Sequence, residues 1–223
     1  MNIPNVDSAR EVILGAAEKL FAQKGFAGAS MRALAGAAGV SQALIHHHFG
    51  TKRGLYEAMK CALGERCLAS TVPALEPQDG DAPGSTLERA MFRYAAWLND
   101  NPNFRRISLW AHLEGDETPM GMSAEDHEMP AQVSALLSDL QAEGGMRADL
   151  DTSLFMLMVG GVVEHWVQHR EQLAAFLGGT EDTDKLEQRY LKQAIAVLLA
   201  GSLPAGVETP LAELGSAESE IDA

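Results

Sequence analysis

Apolar residues recur every three to four positions along most of the chain, which is the spacing of amphipathic helices. The first stretch predicts a helix from Asp7 or Ser8 to about Lys24, and Gly25 is expected to end it. The whole pattern predicts an all-α protein of about nine helices, the others lying near 30–38, 42–48, 52–70, 85–98, 103–114, 128–143, 153–177 and 184–203.

Two short helices joined by a tight turn are predicted between Ser30 and Phe49. Ser30 and Ser41 each precede a helical stretch, and a serine hydroxyl can accept a hydrogen bond from the free amides of a first turn. Gly39 lies between the stretches, where glycine adopts a left-handed turn without steric cost. Because Ala35 is small, the helices can cross closely, and residues 30–49 therefore predict a helix-turn-helix.

The second of these helices is short enough to enter a DNA major groove, where all four base pairs can be distinguished. Its apolar positions Ile45 and Phe49 are predicted to face the preceding helix. The remaining positions point outward and are predicted to contact DNA: Gln42, Ala43, Leu44, His46, His47 and His48.

The stretch from Arg10 to Leu55 contains an ordered set of characteristic positions: Arg10, Ile13, Leu14, Ala16, Ala17, Leu20, Phe21, Gly25, Phe26, Ser30, Met31, Arg32, Leu34, Ala35, Ala37, Ala38, Gly39, Val40, Ser41, Ala43, Ile45, His48, Phe49, Lys52 and Leu55. At these positions the stretch resembles the DNA-binding head of the tetracycline-repressor (TetR) family of bacterial regulators. The resemblance implies a three-helix head that binds a palindromic operator, and a C-terminal helical bundle for ligand binding and dimerisation.

The same resemblance extends the predicted DNA contacts to Ser30, Arg32, Ser41 and Lys52. Lys52 would meet a phosphate beside the groove, and the alternative for it is a solvated surface lysine. His46 replaces the family's usual tyrosine and Leu44 its usual small residue, so the bases of the operator do not follow from the resemblance.

The charge of the chain is divided unevenly. The net charge is −14 over 223 residues, yet residues 1–60 carry seven basic and four acidic side chains and are net positive. The negative net charge of the chain therefore comes entirely from residues 61–223. This division orients the N-terminal part toward phosphate and keeps the acidic remainder away from it.

No membrane or export signal is recognisable in the sequence. No run approaches the ~18 apolar residues of a membrane span, and MNIPNVDSAR lacks the pattern of a signal peptide. Cys61 and Cys67 are six residues apart on a predicted helix, about 9 Å along its axis and too far for a disulfide. We therefore expect a cytoplasmic protein with no membrane partner.

The consecutive histidines 46–48 diverge by about 100° per residue on a helix, so they cannot share one metal ion. His46 and His47 are expected to face DNA and His48 to be partly structural. Because histidine titrates near pH 6.5, operator affinity is expected to rise from pH 8 to 6, and a flat profile at constant salt would reject this.

Proline, glycine and aspartate cluster at 73–84 and mark the main break in the chain. We predict a DNA-binding domain at 7–67, a regulatory and dimerisation domain at 85–203, and an acidic, disordered tail at 204–223.

The last two helices carry more apolar surface than one subunit needs, and Gly160-Gly161 would suit a close helix approach. They resemble the family's four-helix dimer interface; the alternative is a helix buried within one subunit. The predicted dimer contacts are Val162, Val163, Trp166, Tyr190, Leu191, Ile195 and Leu198.

Large, flexible apolar side chains in the C-terminal part suit an adaptable ligand cavity, although methionines and aromatics at helical spacing are also ordinary core. The resemblance implies that a ligand preferring one dimer spacing releases the DNA. His165 and His169 share a helix face, but a pair alone is a weak metal site. The predicted pocket residues are Met91, Tyr94, Trp97, Phe104, Trp110, Phe155 and Met158.

Two other classes of function are alternatives to a DNA-binding regulator. The sequence has no nucleophile elbow, phosphate loop, dinucleotide glycine pattern or zinc-hydrolase motif, so no enzyme and no cofactor is predicted. A dimeric helical adaptor that binds a ligand or protein, with weak or lost DNA binding, is the alternative. The sequence predicts a ligand-released homodimeric repressor, without identifying the ligand or the genes.

Overall fold

The computed structural model describes residues 6–81, 84–116, 118, 120, 131–179 and 181–202. Within them the chain forms nine α-helices, the short 3-10 helix Val72–Leu75 and no strand, which confirms the predicted all-α class. The helices are α1 Val6–Gly28, α2 Met31–Ala38, α3 Gln42–Phe49, α4 Lys52–Thr71, α5 Ser85–Asp100, α6 Pro102–Leu113, α7 Ala131–Ala142, α8 Thr152–Phe176 and α9 Thr183–Ser202.

The chain divides into two compact units, and α6 belongs to the first. Unit 1 combines Met1–Leu68 with Asp100–His127, and unit 2 combines Ala69–Asn99 with Glu128–Ala223. This grouping differs from the predicted domains, which placed α6 with the C-terminal bundle. The reason is that α6 packs along α1, where Arg106 Nε donates to the Ala22 carbonyl at 2.8 Å.

The core of unit 1 is formed by α1 through α4 and by α6. Phe21 is fully buried and meets the ring of Tyr56 edge-on, with ring centroids 5.0 Å apart. Gly25, which was predicted to end the first helix, is the point where helical geometry is interrupted, with φ 69° and ψ 179°; a short helical segment to Gly28 follows this kink. The side chains that fill this core include Ile13, Ala17, Leu34, Ile45, Leu55, Met59, Leu63 and Ile107.

In unit 2, α8 packs against α9. The rings of Trp166 and Tyr190 stack with centroids 4.5 Å apart, and Trp166 Nε1 donates to Glu187 at 3.0 Å. Asp151 caps α8 by accepting from the amides of Ser153 and Leu154. These contacts give unit 2 a core of its own.

Three sequence predictions concern other parts of the chain. The predicted tail, 204–223, lies outside the described residues. None of the described helices is long and apolar enough to cross a membrane. Cys61 and Cys67 are half-buried, and neither forms a disulfide.

Candidate nucleic-acid interface

The helix-turn-helix is fixed by the capping residues that the sequence indicated. The Ser30 hydroxyl accepts from Ala33 N at 3.2 Å and begins α2, and Ser41 does the same for α3 through Leu44 N. Gly39 adopts the left-handed conformation, with φ 67° and ψ 27°, and ends α2. The two helices therefore meet across a three-residue turn.

Ile45 is the one fully buried residue of α3, and the exposed residues leave one face of the helix free for a partner. Ile45 is completely buried against the preceding helices and anchors α3. Of the predicted contacts in this segment, Leu44 and His48 are half-buried, while the others are exposed: Ser30, Arg32, Ser41, Gln42, Ala43, His46 and His47. The exposed part of this face carries amide, methyl and imidazole groups, which can address base edges.

His46 has a local partner as well as an exposed ring. Its Nδ1 donates to the carbonyl of Gly50, the residue that caps α3, at 2.6 Å. The bond fixes Nδ1 as the donor, so Nε2 is the nitrogen left to face outward. The rings of His47 and His48 meet edge-on, with centroids 5.4 Å apart.

Lys52, for which the resemblance implied a phosphate contact, also has partners within unit 1. The side chain is half-buried, and its ammonium donates to the carbonyls of Phe26 and Ala29, both at 2.8 Å. It also lies 4.3 Å from the centroid of the Phe26 ring. Two of its three donors are thus satisfied by the end of α1.

Two carboxylates that are absent from the predicted site residues contact this head. Glu114, at the end of α6, accepts from the amides of Phe26 and Ala27 at 2.9 and 3.0 Å. Asp116 accepts from the ammonium of Lys60 at 2.8 Å, and Lys60 is fully buried. The sequence signal that could have indicated a partner for Asp116 is Lys60, a basic residue that lies between Met59 and Cys61 on α4.

The surroundings of Asp116 and Tyr56 shift their pKa values in opposite directions. Burial favours a raised value for Asp116, but hydrogen bonds from Lys60 and the Thr118 amide, with the charges of Lys60 and Arg53, hold its pKa below its ordinary value. Burial, reinforced by the charge of Asp116, raises the pKa of Tyr56 to about 12. Asp116 is therefore an ionised anchor for Lys60 at neutral pH.

The predicted dimer residues mostly belong to the core of one chain. Val163, Trp166, Leu191 and Ile195 are each no more than 2% exposed within unit 2, so they are unavailable to a second copy. The remaining predicted dimer residues, Val162, Tyr190 and Leu198, are half-buried. The apolar side chains that α8 and α9 expose are different ones: Leu154, Leu157, Met158, Phe176 and Val197.

The predicted pocket residues are divided between the two units. Phe104 and Trp110 lie on α6 in unit 1, where Trp110 packs on Gly25. The other five lie in unit 2, where the Tyr94 hydroxyl donates to Glu164, Met91, Trp97 and Phe155 are buried, and Met158 is 50% exposed. A cavity of about 380 Å³ does occur in unit 1, between α1 and α2, and contains none of the predicted residues.

Metal-ligating side chains do not cluster in the part of the chain that the structure describes, where no group of three or more could hold an ion. His165 and His169 have ring centroids 4.7 Å apart, and His169 Nδ1 lies 3.0 Å from the carbonyl of His165. That bond occupies Nδ1 of His169 and leaves Nε2 as the nitrogen that could bind a metal.

Comparison with known families agrees with the helix-turn-helix geometry. Residues 13–59 match the model of bacterial regulatory proteins of the tetR family, and residues 90–196 match the tetracyclin repressor-like C-terminal domain. The two family models therefore match the N-terminal and the C-terminal part of the chain, in that order.

Individual relatives support the same assignment. The chain is 23% identical over 205 residues to the transcriptional regulator RutR of Escherichia coli K12, covering 89% of this chain and 92% of RutR. It is 43% identical over 72 residues to the regulatory protein RaaS of Mycobacterium tuberculosis, covering 32% of this chain and 34% of RaaS.

Solved structures show the same fold. A putative tetR-family regulator from Shewanella sp. PV-4 has a TM-score of 0.65 at 20% identity and covers 88% of this chain and 98% of its own. SCO4942 of Streptomyces coelicolor has a TM-score of 0.64 at 19% identity, with coverages of 87% and 98%. This chain belongs to the tetracycline-repressor (TetR) family of bacterial transcriptional regulators, which bind DNA and are not enzymes.

Proposed function

We propose that the protein is a homodimeric repressor that binds a palindromic operator through α3 and is released by a small apolar ligand. The observation that carries the proposal is the exposed face of α3, held by the buried Ile45 and begun by the Ser41 cap. Gln42 and Ala43 occupy its N-terminal turn, the part of a recognition helix that usually contacts bases. Glutamine pairs with adenine, and a methyl group fits the thymine methyl.

Dimerisation would bring two such short recognition helices together, so that both contact the same operator. Leu154, Leu157 and Met158 line one side of α8, where they are 58%, 71% and 50% exposed. Gly161 continues that row, and a Cβ added there would meet no atom of the described chain within 4 Å. The space beside the glycine suits a close helix from a second copy. A two-fold pair would place the recognition helices about 34–36 Å apart, in successive major grooves.

The proposal of an apolar ligand rests on the side chains of unit 2. Met91, Trp97 and Phe155 are buried there, and flexible methionine allows such a core to open around a ligand. The hydrogen-bonded Tyr94 and Glu164 would supply polar contacts. Because operator DNA is chromosomal, the protein would act in the cytoplasm.

The test is selection of the purified protein against a random duplex library at moderate salt. The proposal expects one enriched palindrome with half-sites one helical turn apart. Gln42→Ala should lose about tenfold in affinity for it, while Gln23→Ala, an exposed glutamine on α1, should bind as the wild type does. Enrichment of no sequence would reject the repressor and favour the adaptor that binds only a ligand or protein.

A further inference from the structure

A short turn, Phe26–Ala29, follows the break at Gly25; it comprises the last three residues of α1 and the residue after them, and the Ala29 amide donates to the Phe26 carbonyl at 3.4 Å. Charged side chains from other helices hold its two ends. At one end, the amides of Phe26 and Ala27 donate to the carboxylate of Glu114. At the other end, the carbonyl of Ala29 accepts from the ammonium of Lys52. The same ammonium also donates to the carbonyl of Phe26. Anion and cation thus match the amide and carbonyl ends of the turn.

The break at Gly25 explains why the turn needs Glu114. With φ at 69° and ψ at 179°, Gly25 interrupts α1 and leaves the amides after it without their helical acceptors. A Cβ at this position would lie 2.5 Å from Glu114 Oε1 and 2.9 Å from the Trp110 ring. The carboxylate can therefore reach the amides only because residue 25 has no side chain.

The other end of the turn leads directly into the DNA-reading helices. Ala29 is 1% exposed and is followed by Ser30, whose hydroxyl caps α2. Lys52 is the first residue of α4, three residues after α3 ends. Its ammonium consequently joins Ala29, two residues before α2, to the first residue of α4, so this bond spans the whole helix-turn-helix.

We propose that Lys52 and Glu114 form a clamp on the Phe26–Ala29 turn that positions α2 and α3, and that Lys52 is a positioning residue rather than a phosphate ligand. The inference rests on the proposed DNA binding. A positioning residue acts on the match between α3 and base edges, whereas a phosphate ligand adds charge attraction that every DNA sequence shares.

Salt and sequence dependence distinguish these two roles for Lys52. Affinity is measured for Lys52→Met at four salt concentrations, on the selected palindrome and on a scrambled duplex, with Lys24→Met, an exposed lysine of α1, as the control. A positioning role expects about tenfold weaker palindrome binding, an unchanged salt slope, unchanged scrambled-duplex binding, and partial recovery in Lys52→Arg. Equal weakening of both duplexes, with the slope reduced by about 0.9, would make Lys52 a phosphate ligand and overturn the proposal.

Amide hydrogen exchange tests the clamp without DNA. Glu114→Gln should speed exchange at Phe26 and Ala27 by about tenfold, because a charged acceptor is replaced by a weaker one. The same variant should leave exchange at the α9 cap, near Asp182, unchanged. Unchanged exchange at Phe26 and Ala27 would reject the clamp. If the wild type selects no palindrome, the proposed function fails while this measurement still decides the clamp.

Discussion

Unit 1 and unit 2 differ in how they use charged and apolar side chains. In unit 1, Lys60 is fully buried and bonded to Asp116 and to the Thr118 carbonyl, and Lys52 holds two further carbonyls. In unit 2, the charged pair Arg147–Asp149 lies on the surface, with side chains 43% and 69% exposed. Unit 2 instead exposes a row of apolar side chains along α8.

Hydrogen bonds to charged groups hold the helices of unit 1 in one geometry, whereas an exposed row of apolar side chains is stabilised only when a second surface covers it. A hydrogen bond to a charged group has a narrow range of distance and angle, so unit 1 is held in one arrangement. An exposed apolar row gains free energy only when another surface covers it. The difference is one of degree, since α6 in unit 1 also exposes Leu109 and Leu113. This contrast between the two units matches the proposed function, in which unit 1 recognises the DNA sequence and unit 2 forms the dimer.

The largest expected effect comes from placing a charge in the exposed row. Leu157→Glu should weaken the proposed dimer by at least about a thousandfold, or about 4 kcal/mol, because two carboxylates would be buried at a two-fold interface. Sedimentation equilibrium measures the change. The matched control is Val12→Glu, an equally charged replacement of a valine 51% exposed in unit 1. If Val12→Glu dissociates the dimer and Leu157→Glu does not, the association surface lies in unit 1.

The next largest effect is expected from breaking the buried ion pair of unit 1, Lys60–Asp116. Asp116→Ala leaves the Lys60 ammonium buried without its carboxylate, and we expect a loss of about 3–5 kcal/mol in the free energy of unfolding. Urea denaturation measures it, with Asp149→Ala of the exposed pair as a control that should change by less than about 1 kcal/mol. Similar losses in both variants would remove the contrast between the units.

The same pair should respond to acid in a defined direction. The pKa of Asp116 is lower in the folded chain than its ordinary value, so its stabilisation is complete above the ordinary value. The contribution is lost as the pH falls through the folded-state pKa. The difference in unfolding free energy between wild type and Asp116→Ala should therefore shrink below about pH 4.

Two glycines of α1 allow a comparison. One position requires glycine for its backbone conformation, whereas at the other glycine only lowers the helix propensity. Gly25→Ala should destabilise unit 1 by about 2 kcal/mol, since alanine is strained at φ 69° and its Cβ would meet Glu114 and Trp110. Gly15→Ala should stabilise it by about 0.5–1 kcal/mol, because a Cβ there meets no atom of the described chain within 4 Å. Thermal unfolding compares them. A stabilising Gly25→Ala would mean that Glu114 does not reach the α1 break.

The helix-turn-helix could be predicted from sequence because its determinants are local. Ser30, Gly39 and Ser41 act on residues within three or four positions, so their capping roles are visible in the printed chain. The exposed positions of α3 followed in the same way, from the periodicity that buries Ile45.

What could not be predicted depends on contacts between distant residues. Glu114 reaches back 88 positions to Phe26, and no spacing rule connects the two. Four of the seven predicted dimer residues lie in the core of one chain for a related reason: periodicity identifies apolar faces of α8, but not which face α9 already covers. Trp166 is an example, because its stacking on Tyr190 uses it within one chain.

The smallest expected effect tests an exception within unit 1. The hydroxyl of Tyr56 is buried and has no hydrogen-bond partner among the described residues. Tyr56→Phe should therefore stabilise the protein by up to about 1 kcal/mol at pH 7, since it removes an unsatisfied polar group. Tyr190→Phe is the control: its hydroxyl donates to the Val162 carbonyl at 3.3 Å, so its removal should cost about 1 kcal/mol.

Alkaline unfolding adds a second test of the same hydroxyl. Tyr56 keeps its proton in the folded chain up to a pKa of about 12, above the ordinary value of 10.0. The unfolded chain therefore loses this proton first, and stability falls as the pH rises from the ordinary to the folded-state value. The advantage of Tyr56→Phe over the wild type should widen across that interval in urea denaturation. A constant difference would mean that Tyr56 is neither as buried nor as close to Asp116 as unit 1 requires.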